Sequence, residues 1–401
     1  MIQFVPWKLK KVEGKMVSAK SNSLNQYIGK KFKSFFLIFL FLSSVIFIDI
    51  NTVDYGIEGC EKNIVGDTDN FNSTDVTFIA FGDSQHWDST NRQNDYQVEA
   101  LNHFNEILSW EDAGYEELGE ISDIRGVIMA GDITQNGRDG RVFSTDEYGE
   151  FIERYGLCGN NELKYPIYEG YGNHDYYEWS DIFYRIPQDH PVIDSVAIRN
   201  EYRSNLTNVA PGMDGHYSWE WDNIHFIQLN LAPSDIVPSY EEGGFRNPHN
   251  ALTFMKNDLD EHVVGTNKKV VLIAHYGPWE WREWDETQIT NLCEVIEEYR
   301  PYIISYIHGH SHSTKVYDWC EITIFNSGSP YHDDDIHSSY NEDFRGRFTL
   351  FRIMENETKD LKLIAVDVSW SSENYLEGDI ETLDLQMKEW KGFPHEENIT
   401  N

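Results

Sequence analysis

The sequence predicts an α/β fold, and three observations predict it. Between residues 76 and 169, short apolar runs alternate with segments of helical spacing, in the order strand, helix, strand, helix, strand. That order predicts parallel strands with helices across the sheet faces. Beyond His216 the apolar period becomes two, which predicts a second sheet. Five of the apolar runs stop abruptly at clusters of Gly, Asp, Asn and His. In open sheets, strand ends of this kind are where ligands sit.

Residues 1–34 are basic and polar, with eight Lys and one Glu. Residues 35–50 carry an uncharged apolar run from Phe35 to Ile48, 14 residues long, after Lys30, Lys31 and Lys33 and before Asp49. A spanning helix needs roughly 20 residues, so the run reads as a signal sequence or a membrane anchor. The lysines ahead of it place the N-terminus in the cytoplasm and the rest outside, secreted or membrane-anchored. No Ala-x-Ala-like site follows and Met16 offers an alternative start, so cleavage stays open. Residues 51–74 form a polar linker.

Residues 75–370 hold the predicted domain, which starts with a strand at Val76–Phe81. Val98, Leu101, Phe104 and Leu108 predict a helix over Asp95–Trp110. A strand over Ile124–Ala130 follows. Ser144 with Glu147 reads as a capping box, opening a helix that buries Tyr148, Phe151, Ile152 and Tyr155. Tyr165–Glu169 is the third strand. Tyr176 to Pro211 reads as irregular and aromatic-rich. His216 to Leu231 reads as a hairpin, with Tyr217, Trp219 and Trp221 alternating with Ser218 and Glu220 and a turn at Asp222-Asn223. Leu252, Met255 and Leu259 predict a helix over 251–262. Then come a strand at Val270–Ala274, an amphipathic helix over Glu286–Arg300 stopped by Pro301, and a strand at Tyr302–Ile307. Strands at Glu321–Phe325 and Arg347–Ile353, with a return through Leu361–Val368, are expected to finish the second sheet. Residues 371–401 read as an acidic tail, mobile at its end.

The strand ends carry the chemistry. They are Gly82-Asp83-Ser84-Gln85-His86, Gly131-Asp132-Ile133-Thr134-Gln135-Asn136-Gly137, Tyr171-Gly172-Asn173-His174-Asp175, His275, and His308-Gly309-His310-Ser311-His312. Any one of these side chains is as well explained by a turn or a satisfied core position. Together they suggest one shared site. Carboxylate, amide and imidazole donors without Cys suit Zn, Fe or Mn.

This ordered set (GDxQ, GDxxxNG, GNHD, a strand-end His, GHxH) resembles the calcineurin-like metallophosphoesterase superfamily over about residues 75–368. The usual first motif of that family is D-x-H. Here it is Asp83-x-Gln85, as in some members. The resemblance implies a two-layer β-sandwich flanked by α-helices. It also implies hydrolysis of a phosphate monoester or diester by a hydroxide activated between two metal ions, Mn, Fe or Zn. By the family pattern Asp132 bridges the two ions. Asp83, Gln85, Asp132 and His312 would hold the first, and Asp132, Asn173, His275 and His310 the second. His174 is expected to face the substrate and protonate the leaving oxygen, with Asp175 fixing its ring. Gln85 is a neutral, weaker donor than imidazole, so the first ion should bind less tightly and shift towards Mn. His86 is the alternative ligand if the loop register slips. His308 reads as structural.

After His275 the segment is crowded by Tyr276, Trp279, Trp281, Arg282 and Trp284, and Tyr176, Tyr177 and Trp179 follow Asp175. Tyr276 and Trp279 are candidates for stacking on a substrate ring and Arg282 for clamping a phosphate; the alternative is that the rings pack the loops. The substrate expected is a phosphoester. A protein phosphatase, and a non-catalytic surface binding protein on the same scaffold, are the alternatives.

Lys and Arg total 32 against 68 Asp and Glu, a net charge of −36 that repels polyanions, so no nucleic-acid partner is expected. No protein partner is inferred either. Hydrophobic residues make up 40% of the chain, enough for a sizeable core. The four cysteines form no C-x-x-C pair, which argues against a zinc-thiolate site. Outside the cytoplasm disulfides are allowed, in any of three pairings. Cys293 lies on the apolar stripe of a helix and reads equally well as a buried free thiol.

Overall fold

The computed structural model describes residues 55–60, 73–87, 92–138, 145–176, 191–203, 205–236, 247–279, 286–331, 344–356, 358–372, 383–387 and 391–399. The run Phe35–Ile48, Ser144, Tyr177, Trp179, Trp281, Arg282 and Trp284 lie outside them. Among the described residues no helix is long and apolar enough to cross a membrane.

The chain opens with β1 (Asp75–Phe81), α1 (Gln93–Ile107), β2 (Ile124–Met129), α2 (Glu147–Arg154) and β3 (Ile167–Glu169). As the element order predicts, β1 pairs parallel with β2, and β2 with β3. The start of α2 differs from the expected box. Asp146 caps it, accepting the Gly149 N–H at 2.8 Å. Glu147 is buried and turns the other way, accepting the main-chain and side-chain N–H of Asn136, each at 2.8 Å.

Then follow α3 (Pro191–Asn200), β4 (Leu206–Val209), β5 (Tyr217–Trp221), β6 (Ile224–Gln228), α4 (Ala251–His262), β7 (Lys269–Ile273) and α5 (Glu286–Glu298). The chain ends with β8 (Ile303–His308), β9 (Thr314–Trp319), β10 (Ile322–Ser327), β11 (Phe344–Glu355), β12 (Leu361–Ser372), β13 (Leu383–Met387) and β14 (His395–Ile399). The strands form two mixed sheets. One runs β13-β12-β11-β1-β2-β3, with β14 also on β12; the other runs β4-β5-β6-β7-β8-β10-β9. In the second sheet β6, β7, β8 and β10 are mutually parallel.

The sheets stack face to face and helices cover their outer sides. Strand alternation decides which residue goes where. From β1, Val76, Phe78 and Ala80 enter the inter-sheet layer with Trp219, Phe226, Val271, Ile307, Phe325 and Phe351. Ile79 and Phe81 point outward to the helices with Leu101, Phe104 and Phe151. Phe78 meets Phe226 edge-on at 5.2 Å across the sheets, and Tyr168 stacks on Trp219 at 4.4 Å.

Three expectations are corrected. β11 and β12 do not complete the second sheet; β11 lies antiparallel to β1 in the first, with Phe78 opposite Phe351. The segment after Trp370, read as a tail, supplies β13 and β14, which pair with the two halves of β12. Cys293 is not a free thiol. At the half-buried edge of α5 it reaches the β9–β10 turn and bonds Cys320, while Cys60 bonds Cys158.

A further difference is α3, in a stretch read as irregular. Its hidden determinant is a charge. Arg199 Nε pairs with Glu169 Oε1 and Arg203 Nη2 with Glu169 Oε2, both at 2.7 Å and all three side chains buried. Both guanidinium groups also lie over rings, of Phe151 for Arg199 and of Tyr168 and Tyr217 for Arg203. Removing one member of a buried ionic set strands the others. Glu169→Ala is therefore expected to lower stability by roughly 3–5 kcal/mol in denaturant titration. A loss under 1 kcal/mol would show that the arginines find other partners.

A second buried charge ties α4 to the second sheet. His225 Nε2 faces Asp258 Oδ2 at 2.6 Å and its Nδ1 faces Glu220 Oε1 at 3.3 Å. Glu220 also pairs with Lys268, and the His262 ring stacks at 6.3 Å. Burial lowers the His225 pKa, but Asp258 and Glu220 outweigh it and raise it above the ordinary histidine value. A raised folded pKa stabilises fully below the unfolded value, about 6.5, and the contribution fades as pH climbs through the folded value. The stability difference between wild type and His225→Gln should therefore be largest near pH 6 and shrink towards pH 9. A difference that grows with pH contradicts the charged assignment.

Candidate functional site

The parallel strands of both sheets end at one shared edge. The Cα atoms of Gly82 and Gly309 come together there, and a Cβ added at Gly82 would stand 3.1 Å from the Gly309 Cα. His275 Nδ1 donates to the Ala130 carbonyl at 2.9 Å, joining the ends of β7 and β2. The five motif loops thus converge from two sheets.

Asp132 lies at the centre of them. Its Oδ1 accepts the His174 N–H at 2.8 Å. Its Oδ2 stands 3.3 Å from His275 Nε2 and 3.4 Å from Gln85 Nε2. Because His275 Nδ1–H is spent on a carbonyl, Nε2 is the atom turned to the site, where it also meets Asn173 Oδ1 at 2.9 Å. Burial alone would raise the Asp132 pKa; the His275 and His174 rings outweigh it and hold the carboxyl below the usual carboxylate range. Burial disfavours charge on His275, but Asp132 and then Asp83 carry its pKa up to about 9. Asp132, His275 and His310 each bring a ligand atom within 4.8 Å of the others. On the other side of the cluster, Asp83 accepts the His310 main-chain N–H with both oxygens, at 3.0 and 2.9 Å, and stands 3.6 Å from His312 Nε2.

The residues fit a metal. Acidic oxygens, an amide oxygen and imidazole nitrogens converge with no thiolate, and His275 Nε2 points a titratable position at two oxygens, where a cation can replace a proton. The backbone is shaped to the same end. Asp83, Gln85, Asp132, His310 and His312 have φ of 58°, 39°, 53°, 73° and 50°. Left-handed non-glycine residues are uncommon and cluster where a site is held under constraint. Two glycines let the loops close. A Cβ at Gly172 would lie 2.3 Å from Asp132 Oδ1, and Gly131, at φ 88°, leaves no room beside His275 for a Cβ.

Gln85 and His86 part ways. Gln85 turns to Asp132. His86 turns into the core, its ring 5.7 Å edge-on from both Phe151 and Tyr155. Burial, with Arg154 nearby, holds its pKa well below the ordinary value, so it is neutral. Among the described residues its Nε2 meets no hydrogen-bond partner. His308 is structural, with Nδ1 2.9 Å from the Gly309 carbonyl and Nε2 3.0 Å from the Tyr317 hydroxyl.

Asp175 does not fix the His174 ring. Its Oδ2 accepts the N–H of Gly172 at 2.8 Å and of Ile133 at 3.1 Å, and its Oδ1 the N–H and hydroxyl of Thr134, each at 2.8 Å. It staples the loop after β3 to the loop after β2. Burial and then the Asp132 charge raise its pKa to about 7, against the Gly172 and Thr134 donors. The His174 ring is held instead by the Gln135 carbonyl, 2.8 Å from Nδ1. Tyr276 is buried with its ring 4.3 Å from that of His310, so it packs a site residue. Trp279 is 67% exposed and leans on Trp319, at the end of β9 remote from Thr314 and the site edge. Sequence reading missed Thr134, Gln135 and Asn230. The last follows the apolar strand β6, so the rule that found the other clusters also marks it.

No family model matches the chain, and no curated protein matches it. Solved structures do match, distantly. GAP50, the anchor in the inner membrane complex of Plasmodium, is 12% identical with a TM-score of 0.45, covering 79% of this chain and 90% of that one. A dimetal phosphatase from Danio rerio is 14% identical with a TM-score of 0.42, covering 72% and 95%. The phosphopantetheinyl hydrolase of Mycobacterium tuberculosis is 12% identical with a TM-score of 0.36, covering 66% and 94%. At these values the likenesses assign no activity to this chain.

The split between Gln85 and His86 is testable by metal titration. His86→Ala should cost stability, roughly 2–5 kcal/mol for an emptied core position, and leave metal affinity unchanged. Gln85→His should tighten binding and move preference from Mn towards Zn. The opposite pattern, with affinity lost in His86→Ala alone, would make His86 the ligand.

Proposed function

We propose that this chain is a metal-dependent phosphoesterase that hydrolyses a phosphate monoester or diester. The observation that carries the reading is the convergence of Asp83, Gln85, Asp132, Asn173, His275, His310 and His312 at one edge of two sheets. Two divalent ions, Mn, Fe or Zn, would be held there, with Asp132 shared between them. When bound, such ions supply positive charge against the phosphoryl oxygens and acidify water.

The chain's own residues do the rest. The Ala130 carbonyl, taking the Nδ1–H, fixes the His275 ring with Nε2 towards Asn173 and Asp132. Asp83 fixes the turn that presents His310 and His312. His174 is half-buried, with Nδ1 held by the Gln135 carbonyl, so Nε2 is the ring atom left to give a proton to the leaving oxygen. Two disulfides fit an oxidising compartment, consistent with a site outside the cytoplasm.

The test is turnover of an aryl phosphate and its bis-ester with Mn, Zn or Fe supplied. Asp132→Asn is expected to abolish turnover and metal binding together. His174→Ala should keep its metal and lose roughly 10²–10⁴ in kcat, less for good leaving groups. Equal losses for good and poor leaving groups contradict the acid role. Metal binding without turnover of either ester would favour a non-catalytic binding protein.

A further inference from the structure

We propose that Asn230, at the end of β6, is a positioning residue that sets two metal-ligand loops against each other across the two sheets. The inference deepens the metal-centre reading and rests on it. Asn230 is fully buried at φ 55°. Its carbonyl accepts the N–H of His275 at 2.6 Å, from the second sheet. Its side-chain Oδ1 accepts the N–H of Tyr171 at 3.2 Å, from the first sheet, two residues before Asn173. The side chains of Asn173 and His275 meet at 2.9 Å. One residue therefore holds the main chain beneath both halves of that contact.

The orientation of the Asn230 amide is itself fixed. His216 Nε2 donates to the His249 carbonyl at 3.1 Å, so its Nδ1 is an acceptor and takes a hydrogen bond from Asn230 Nδ2 at 2.9 Å. Burial holds the His216 pKa down to about 3, so the ring stays neutral and this direction is kept. The Asn230 N–H goes to Gln228 Oε1 at 3.3 Å, and Gln228 Nε2 reaches the Met129 carbonyl of β2 at 3.3 Å. Every polar group of Asn230 has a partner, and two of those partners carry ligand loops. Groups that orient ligands in this way are typically worth ten- to a hundredfold in metal affinity.

The experiment compares Asn230→Gly, Asn230→Ala and the control Asn208→Ala. Glycine keeps the positive φ and the carbonyl but removes both side-chain bonds; alanine also strains the backbone that aims the carbonyl at His275. Asn208, half-buried, donates to Asp258 at 2.9 Å outside the site and controls for a lost side-chain hydrogen bond. Mn titration should show affinity reduced about tenfold or more in Asn230→Gly, further in Asn230→Ala, and unchanged in Asn208→Ala. In the metal-free protein, amide hydrogen exchange at Tyr171 should quicken in Asn230→Gly and not in Asn208→Ala. Wild-type Mn affinity in Asn230→Gly, a loss matched by Asn208→Ala, or unchanged exchange at Tyr171 overturns the proposal. If wild type itself binds no Mn, the metal-centre reading fails and takes the proposal with it; failure of Asn230 alone leaves wild-type binding intact.

Discussion

The structure turns on where the Asp132 carboxylate sits. It is buried at the end of β2, beyond the reach of bulk water, yet held ionised by the rings and N–H groups around it. A buried charge is tolerated only when paired and hydrogen-bonded. Satisfying this one requires His174 from the loop after β3, His275 from the loop after β7 and Gln85 from the loop after β1. Those three loops come from both layers of the sandwich. The carboxylate therefore demands that the sheets be stacked with their strand ends in register, which the Phe78, Trp219 and Phe226 layer supplies.

The loops are tied together by the chain's own carboxylates. Asp175 spends both oxygens on main-chain N–H groups and Thr134, and Asp83 spends both on the turn of His310. The positive φ angles at five site residues each cost free energy, of order 1–3 kcal/mol, and persist because these carboxylates over-determine the loops. A preorganised donor set of this kind loses less on binding a cation than a flexible one. Asp83, which would hold a metal in the proposed centre, thus also shapes the turn beside it.

Much of this was legible in the sequence, for a physical reason. Strand ends in a parallel sheet are marked by apolar runs stopping at polar clusters, so all five loops that meet at this edge could be placed from local pattern. The parallel order of the first three strands followed from alternation with helices. What could not be read were long-range pairings. Nothing local in Phe344–Glu355 says that it lies beside β1 and not in the second sheet. β14, His395–Ile399, is charged because it is an edge strand; its sequence looks like a solvated tail. α3 was hidden because its buried face includes Arg199, which is apolar-compatible only with Glu169 at its side. The roles of Asp175 and Asn230 depend on which main-chain groups need partners, and sequence shows no main-chain hydrogen bonds across loops.

The central claim is that the five loops make one metal centre around Asp132. Anomalous diffraction from crystals grown with Mn tests it most directly. The account predicts two anomalous peaks that share Asp132, one also touching Asp83, Gln85 and His312, the other Asn173, His275 and His310. Peaks that avoid Asp132, or no peak at this edge under saturating Mn, would contradict it.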